Sequence, residues 1–301
     1  MLESLGKATS LDPSEVEILC SWNGGASAEN QILNNSGYEF LIAQKDPYHF
    51  ATNINNLAEK ASGDIILIIN DDIILDQNSI DQGIEYLSKQ SNIGLIGANL
   101  RNEKNQIVHC GMLFDNKNSP YHKLESLIES KAENRHELNE YMPAVTGALL
   151  LIKRKTFLKI KFNEKYKVCG EDVELCLDIR DKLNLRVVYC PQFSGIHTVS
   201  TTRKEKGQYG NNSEDIVLMR QRRKNFISNA KQDNLIDEIN AYSKESEELN
   251  KLIKSLLNDH EDASLEVKKE IDYWKNQAHS LHLTRIQQSE EIKELKKSLL
   301  S

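Results

Sequence analysis

Two acidic stretches carry most of the chemistry legible in this chain. Asn70-Asp71-Asp72 ends an apolar run, Ile65-Ile66-Leu67-Ile68-Ile69, and Gly170-Glu171-Asp172 opens the amphipathic stretch Val173 to Arg180. A carboxylate pair at the end of a buried strand can seat a hard divalent cation, which takes oxygen ligands and bridges phosphates. A carboxylate at the start of a helix can serve as a base. Together they point to a metal-assisted transfer from a nucleotide-linked donor. Each stretch also has a plainer reading. Asn and Asp are common in turns because their side chains bond the local backbone, and acids in a first helical turn offset the dipole. His197, in Ser194-Gly195-Ile196-His197-Thr198, is a third candidate, as a metal or phosphate contact downstream of both stretches.

These residues need a scaffold, and the pattern predicts one. Val16–Cys20 and Phe40–Ala43 read as strands, with Asn23-Gly24-Gly25 as the turn after the first. Asn53–Ser62 reads as a helix stopped by Gly63, and Ile65–Ile69 as a strand buried on both faces. A helix over Ser79–Gln90 and a strand over Ile93–Gly97 follow. Mixed strands and loops are expected over 99–150, with a buried strand at Gly147–Ile152. Then come a helix at Glu171–Leu183, a strand at Arg186–Tyr189 and a polar loop from Pro191 to Gly210. This alternation predicts an α/β fold. In an open α/β sheet, ligands bind at the carboxyl ends of strands, where Asn70–Asp72 would lie.

Composition narrows the classes. The chain has 301 residues, 39% hydrophobic and 28% charged, with a formal net charge of -7, which argues against bulk nucleic-acid binding. The five cysteines are scattered without a CxxC spacing, so neither a zinc site nor a disulfide framework is expected, and a reducing compartment fits. No apolar run reaches the length of a membrane span, and no signal-peptide layout opens the chain. The expected location is the cytoplasm, including the inner face of the membrane. After Gly210 nothing breaks a helix. A heptad a/d reading runs Ile239, Tyr242, Ser246, Leu249, Ile253, Leu256, and again from Ile271 and Trp274 through Ala278, Leu281, Arg285, Gln288, Ile292, Leu295 and Leu299, a seam made imperfect by Ser246, His260, Arg285 and Gln288. A stutter between Val267 and Ile271 separates the two registers. The expected organisation is a domain over 1–210 and a helical, coiled-coil-prone tail over 211–301. That tail would pair with a second copy or a partner helix through 236–299.

The order of these stretches resembles a family 2 glycosyltransferase of the GT-A fold, in its rhamnosyltransferase-like branch. The resemblance rests on Gly63 to Asp72, Thr146-Gly147-Ala148-Leu149-Leu150, Phe162-Asn163-Glu164-Lys165-Tyr166, Gly170 to Leu177, Arg186 to His197, and Asn105-Gln106-Ile107-Val108-His109-Cys110-Gly111. It implies a Rossmann-type mixed sheet flanked by helices and an inverting transfer from a nucleotide-sugar donor to a saccharide or glycoconjugate. By position, Asp72 and His197 would hold Mg²⁺ or Mn²⁺, while Asn70, Asp71, Trp22 and Asn23 would meet the donor. Asp172 would be the general base with Glu171 beside it, and Thr146, Gly147 and Ala148 would lie near the acceptor. Packing within the sheet explains those last three equally well.

Two departures from the pattern stand out. The apolar first strand of the family has no counterpart, which would leave a sheet edge open. Trp22 stands where the family has an Asp that contacts the base; its ring could stack on that base or simply pack. Two other readings therefore compete: an inactive glycosyltransferase-like scaffold assembled through its tail, and another metal-dependent nucleotidyl or phosphoryl transferase on a similar sheet.

Overall fold

The computed structural model describes residues 1–130, 139–198, 213–258 and 270–284, with Gln287 and Glu290. In chain order the strands are β1 (Glu17–Ser21), β2 (Glu39–Gln44), β3 (Ile65–Ile69), β4 (Ile73–Leu75), β5 (Ile93–Arg101), β6 (Ile107–His109), β7 (Met112–Phe114), β8 (Pro120–His122), β9 (Glu140–Tyr141), β10 (Leu149–Lys153) and β11 (Arg186–His197). The helices are α1 (Leu2–Ala8), α2 (Ala26–Glu29), α3 (Phe50–Lys60), α4 (Ser79–Lys89), α5 (Arg154–Ile160), α6 (Glu171–Lys182), α7 (Ser213–Asn229) and α8 (Gln232–Asn258). A further helical stretch covers 270–284.

A seven-stranded mixed sheet, in the order β3-β10-β5-β11-β4 with β6 beside β5 and β9 beside β11, forms the centre. Strand β10 runs antiparallel to both neighbours, β11 parallel to β5 and antiparallel to β4. Side chains alternate across this sheet with the period of two that a pleated strand imposes. Leu150 and Ile152 enter one core with Leu95, Leu175 and Phe226, whereas Leu149 and Leu151 enter the other with Ile96, Leu87 and Phe193. Both faces are covered, as an α/β sheet requires, and the expected fold class is present.

Three expectations change. Strand β3 is half-buried except at Ile68, not fully buried. It is the edge of the large sheet, because β1 and β2 form a separate two-stranded parallel sheet and, among the described residues, no strand joins the outer side of β3. The loop expected from Pro191 begins later, since β11 continues to His197. Its pairing with β5 shifts register between Cys190 and Ser194, the kind of irregularity where a proline without an N–H can sit in a strand. The rest of the expected loop, 199–210, lies outside the described residues. Helix α3 ends at Lys60 with Ala61 extended, ahead of Gly63, whose N–H instead meets the Glu17 carboxylate.

Beyond these three, a further change concerns the tail. The heptad face of α8 packs on the domain itself. Ala241, Tyr242 and Leu249 are buried in the main core together with Phe226 of α7. The Tyr242 hydroxyl donates to the Phe114 carbonyl at 2.7 Å and accepts its N–H at 2.9 Å. Buried charges sit in the same seam. Arg223 and Arg180 converge on Glu238, each with an N–O distance of 2.8 Å, and Arg180 also donates to the carbonyls of Pro143 and Asn234. Burial by itself would raise the Glu238 carboxyl, and the two guanidiniums outweigh it, holding the carboxyl below its ordinary range. In the stretch 270–284, Ile271 is buried and Leu281 packs against the main core. The remaining heptad positions, Arg285, Gln288, Ile292, Leu295 and Leu299, and the stutter at Val267 lie outside the described residues.

Removing one member of a buried ion cluster leaves an uncompensated charge, which costs about 3–5 kcal/mol. Glu238→Ala is therefore expected to lower the unfolding free energy by that amount in urea titration. A loss under about 1 kcal/mol would mean that Arg180 and Arg223 do not depend on it.

Candidate active site

The acidic turn Asn70-Asp71-Asp72 links β3 to β4, and the pairing of β4 with β11 sets Ile73 opposite His197. That register brings together two residues distant in sequence. The Asp72 carbonyl accepts the Thr198 N–H at 3.2 Å and its hydroxyl at 2.8 Å. Nε2 of His197 lies 3.2 Å from Asp72 Oδ2, and among the described residues neither Nε2 nor Asp72 Oδ1, both buried atoms, has a hydrogen-bond partner. Buried polar atoms are seldom left so, because each forfeits its solvation. A carboxylate oxygen and an imidazole nitrogen side by side suit Mn²⁺ or Mg²⁺, although imidazole favours the former. Among the described residues no group of three or more His, Cys, Asp and Glu converges. Further ligands to such an ion would be water and ligand oxygens, as is common for these cations.

Asp71 is exposed. At the end of β1, burial and the Asp71 carboxylate both push the Cys20 thiol up, which sets the end of that strand beside the acidic turn. Trp22 follows, its N–H bonded to the Gln44 carbonyl at 2.9 Å. The indole Nε1 is buried without a partner. Gly24 lets the ring lie against the backbone, since a Cβ there would come within 2.5 Å of it. Asn23 is exposed beside it.

The second acidic stretch meets the first through the segment leading into β10. The Asn70 N–H donates to the Ala148 carbonyl at 2.9 Å. The Gly147 N–H donates to Asp172 Oδ2 at 2.8 Å, and the other oxygen of Asp172 accepts its neighbour's N–H, that of Val173, at 2.8 Å. A Cβ on Gly147 would stand 3.2 Å from that of Asp172 and 3.4 Å from the Phe50 ring, so the approach uses the bareness of glycine. The Thr146 N–H donates to His109 Nε2 at 3.3 Å, and the Val145 N–H to Cys176 Sγ at 3.5 Å.

Behind Asp172 the loop into α6 is held tightly. Gly170 takes φ +110°, and a side chain there would strike Tyr166 at 2.7 Å. The Tyr166 hydroxyl, pushed up by burial and by Glu174, donates to that carboxylate at 2.6 Å. Asp215 of α7 accepts three successive N–H groups, from Lys167, Val168 and Cys169, at 2.7–3.1 Å. Glu171 is buried at the start of the helix.

The structure thus joins Asn70, Asp72, His197, Gly147, Ala148 and Asp172 around one sheet end, with Thr146 between them and Trp22 at the neighbouring strand end. The sequence reading passed over His109, His122, Thr198 and Asp215. His109 stood inside a stretch that carried the resemblance, and Thr198 beside His197. Nothing local marked His122 or Asp215.

Comparison with known proteins follows this geometry. The family described as "Glycosyltransferase like family 2" matches residues 36–223. The O-antigen biosynthesis protein RfbC of Myxococcus xanthus is 27% identical over 163 residues, 52% of this chain and 13% of that protein. An uncharacterized protein of Sinorhizobium fredii, y4gI, is 24% identical over 54% of this chain and 19% of its own length. The chain therefore spans less than a fifth of these curated relatives. Among solved structures, mannosyltransferase PcManGT from Pyrobaculum calidifontis with GDP-Man and Mn²⁺ aligns over 91% of this chain and 77% of its own, at 13% identity and a TM-score of 0.49. GalNAc-T7 with UDP, GalNAc and Mn²⁺ aligns over 62% and 38%, at 14% identity and a TM-score of 0.47. With a family match that takes in both acidic stretches and runs from Ser36 to Arg223, more than half of the chain, this protein belongs to the glycosyltransferase-like family 2.

Proposed function

We propose that the chain is an inverting glycosyltransferase that moves a sugar from a nucleotide-sugar donor to a saccharide or glycoconjugate acceptor. The observation that carries this reading is the short chain of hydrogen bonds from Asn70 through Ala148 and Gly147 to Asp172. It sets a carboxylate with two fixed N–H donors beside a turn whose Asp72 Oδ1 and neighbouring His197 Nε2 have no hydrogen-bond partner among the described residues. One side of the site offers a cation seat, the other a base.

Asp72 and His197 would hold Mn²⁺ or Mg²⁺. When bound, such an ion neutralises charge on a departing nucleoside diphosphate. Asn70 and Asp71 face the donor in this reading, and Trp22 with Asn23 meets its base. Asp172 keeps lone pairs beyond those taken by Gly147 and Val173. It accepts the proton of the acceptor hydroxyl as that oxygen attacks the anomeric carbon from the face opposite the diphosphate, which inverts the configuration. Glu171 supports Asp172, and Thr146 to Ala148 present backbone, with the bare Gly147, toward the acceptor. The O-antigen role named for the Myxococcus relative supports a surface polysaccharide as the acceptor, and a cytoplasmic site of reaction follows from a nucleotide-sugar donor. No described helix is long and apolar enough to cross a membrane.

A second reading, a glycosyltransferase-like binding protein without turnover, is favoured by one feature. The two-stranded sheet that Trp22 follows stands apart from the large sheet, and among the described residues no strand joins the two.

A panel of nucleotide sugars, screened by thermal shift with and without Mn²⁺ and then by release of nucleoside diphosphate, separates the two. Asp172→Asn keeps an oxygen for the Gly147 N–H and removes the base. It is expected to lower kcat by roughly 10²–10⁴ while Mn²⁺-dependent nucleotide binding persists; undiminished turnover would remove Asp172 from the role. Asp72→Ala is expected to abolish Mn²⁺-dependent binding of UDP or GDP in calorimetry, and binding at wild-type strength would show that Asp72 is no ligand.

A further inference from the structure

His109 is a titratable group near the site that is fully inaccessible at the end of β6. Both of its ring nitrogens have partners. Nε2 receives the Thr146 N–H at 3.3 Å. Nδ1 lies 2.9 Å from Nδ1 of His122 on β8, the two rings edge-on with centroids 5.1 Å apart. A backbone amide can only donate, so Nε2 of His109 must present a lone pair. A neutral imidazole has one N–H, which places the proton of His109 on Nδ1. That N–H must then donate, so Nδ1 of His122 presents the lone pair and its proton sits on Nε2. Either ring as an imidazolium would set two N–H groups against each other or against Thr146. Burial and the nearby rings of His122 and His197 push the His109 imidazole well below its ordinary range, which agrees with the neutral form.

We infer that His109, held in one tautomer by His122, is a positioning residue for the acceptor side of the site. It fixes the Thr146 peptide from one side while Asp172 fixes the Gly147 peptide from the other. This rests on the glycosyltransferase reading only for its consequence in turnover. The two adjacent peptide planes share the Thr146 Cα, so a displacement of one must be taken up in φ and ψ of Thr146 or passed to the other. A shift at Thr146 therefore reaches Gly147 and the carboxylate it orients. Displacements of about 1 Å at such sites cost on the order of 10²-fold in rate.

The test has two arms on the full chain. The first is a ¹⁵N–¹H long-range histidine spectrum at pH 7.5 in the presence of Mg²⁺, which is diamagnetic, and UDP, which reads tautomers whether or not any sugar is transferred. The expected result is Nδ1–H for His109 and Nε2–H for His122. Nε2–H or an imidazolium at His109 overturns the inference. The second arm compares His109→Leu, which cannot accept from Thr146, with His109→Gln, whose side-chain oxygen can. On the donor found active in the nucleotide-sugar panel, His109→Leu is expected to lower kcat by about 10–100-fold with donor KM unchanged, and His109→Gln to recover to within about threefold. Equal losses in the two folded variants, or none in His109→Leu, overturn it. If His109→Leu fails to fold, turnover of His109→Gln below about a tenth of wild type overturns it as well. Should the wild type turn over no donor at all, the functional reading falls, and the tautomer spectrum still decides whether His109 holds Thr146.

Discussion

The site depends on a run of backbone that has left the sheet. Between Val145 and Ala148 the chain approaches β10 without a ladder partner for its N–H groups, and each is received by a side chain: Cys176 Sγ, His109 Nε2, Asp172 Oδ2 and Thr146 Oγ1. An unpaired buried amide is costly, so these acceptors are obligatory. Their consequence is positional. The same peptides that need acceptors fix Asp172 and, through the Ala148 carbonyl, the Asn70 end of the acidic turn. Fold stability and site geometry are therefore drawn from one set of hydrogen bonds.

The C-terminal helices extend this constraint outward. Asp215 gathers the amides of Lys167 to Cys169 just before Gly170, so α7 clamps the loop that presents Asp172. Helix α8 closes the opposite side of α6 through Arg180, Glu238 and Arg223. Burying three charges is favoured only when each is paired, and here one carboxylate serves two guanidiniums, with backbone carbonyls taking further N–H groups of Arg180. This ionic seam ties helix positions beyond residue 230 to the helix that begins at the candidate base.

What was legible in the sequence follows from how local each signal is. Strand β3 and its acidic turn were visible because an apolar run ends abruptly in Asn70-Asp71-Asp72. The start of α6 was visible because Gly170 precedes acids and an amphipathic repeat. The burial of β3 was overestimated because an apolar run is the same in a central strand and at an edge. The tail was misplaced for a similar reason. A heptad stripe such as Tyr242 and Leu249 looks identical whether it meets another helix or its own domain, and Arg180 and Arg223 read as solvated charges until Glu238 is seen between them. His109 stood in a stretch that carried the resemblance, but its role had no local signal, since its partners His122 and Thr146 lie outside its own strand.

The two acidic stretches also differ in what surrounds them, and the difference fits the separate roles proposed for them. Asp172 has both oxygens engaged by backbone N–H groups, which fixes its orientation. Asp72 has its carbonyl tied down by Thr198, so its position is fixed by backbone, and its Oδ1 has no hydrogen-bond partner among the described residues. A carboxylate oriented by neutral amides suits a proton, whose acceptor must point in one direction. A carboxylate held by its backbone, with an unsatisfied imidazole beside it, suits a cation, which asks for charge and tolerates several ligand arrangements. The asymmetry comes from topology: Asp172 lies in the first turn of a helix packed against a loop segment that lacks a ladder, whereas Asp72 immediately precedes a strand whose ladder with β11 sets His197 opposite Ile73.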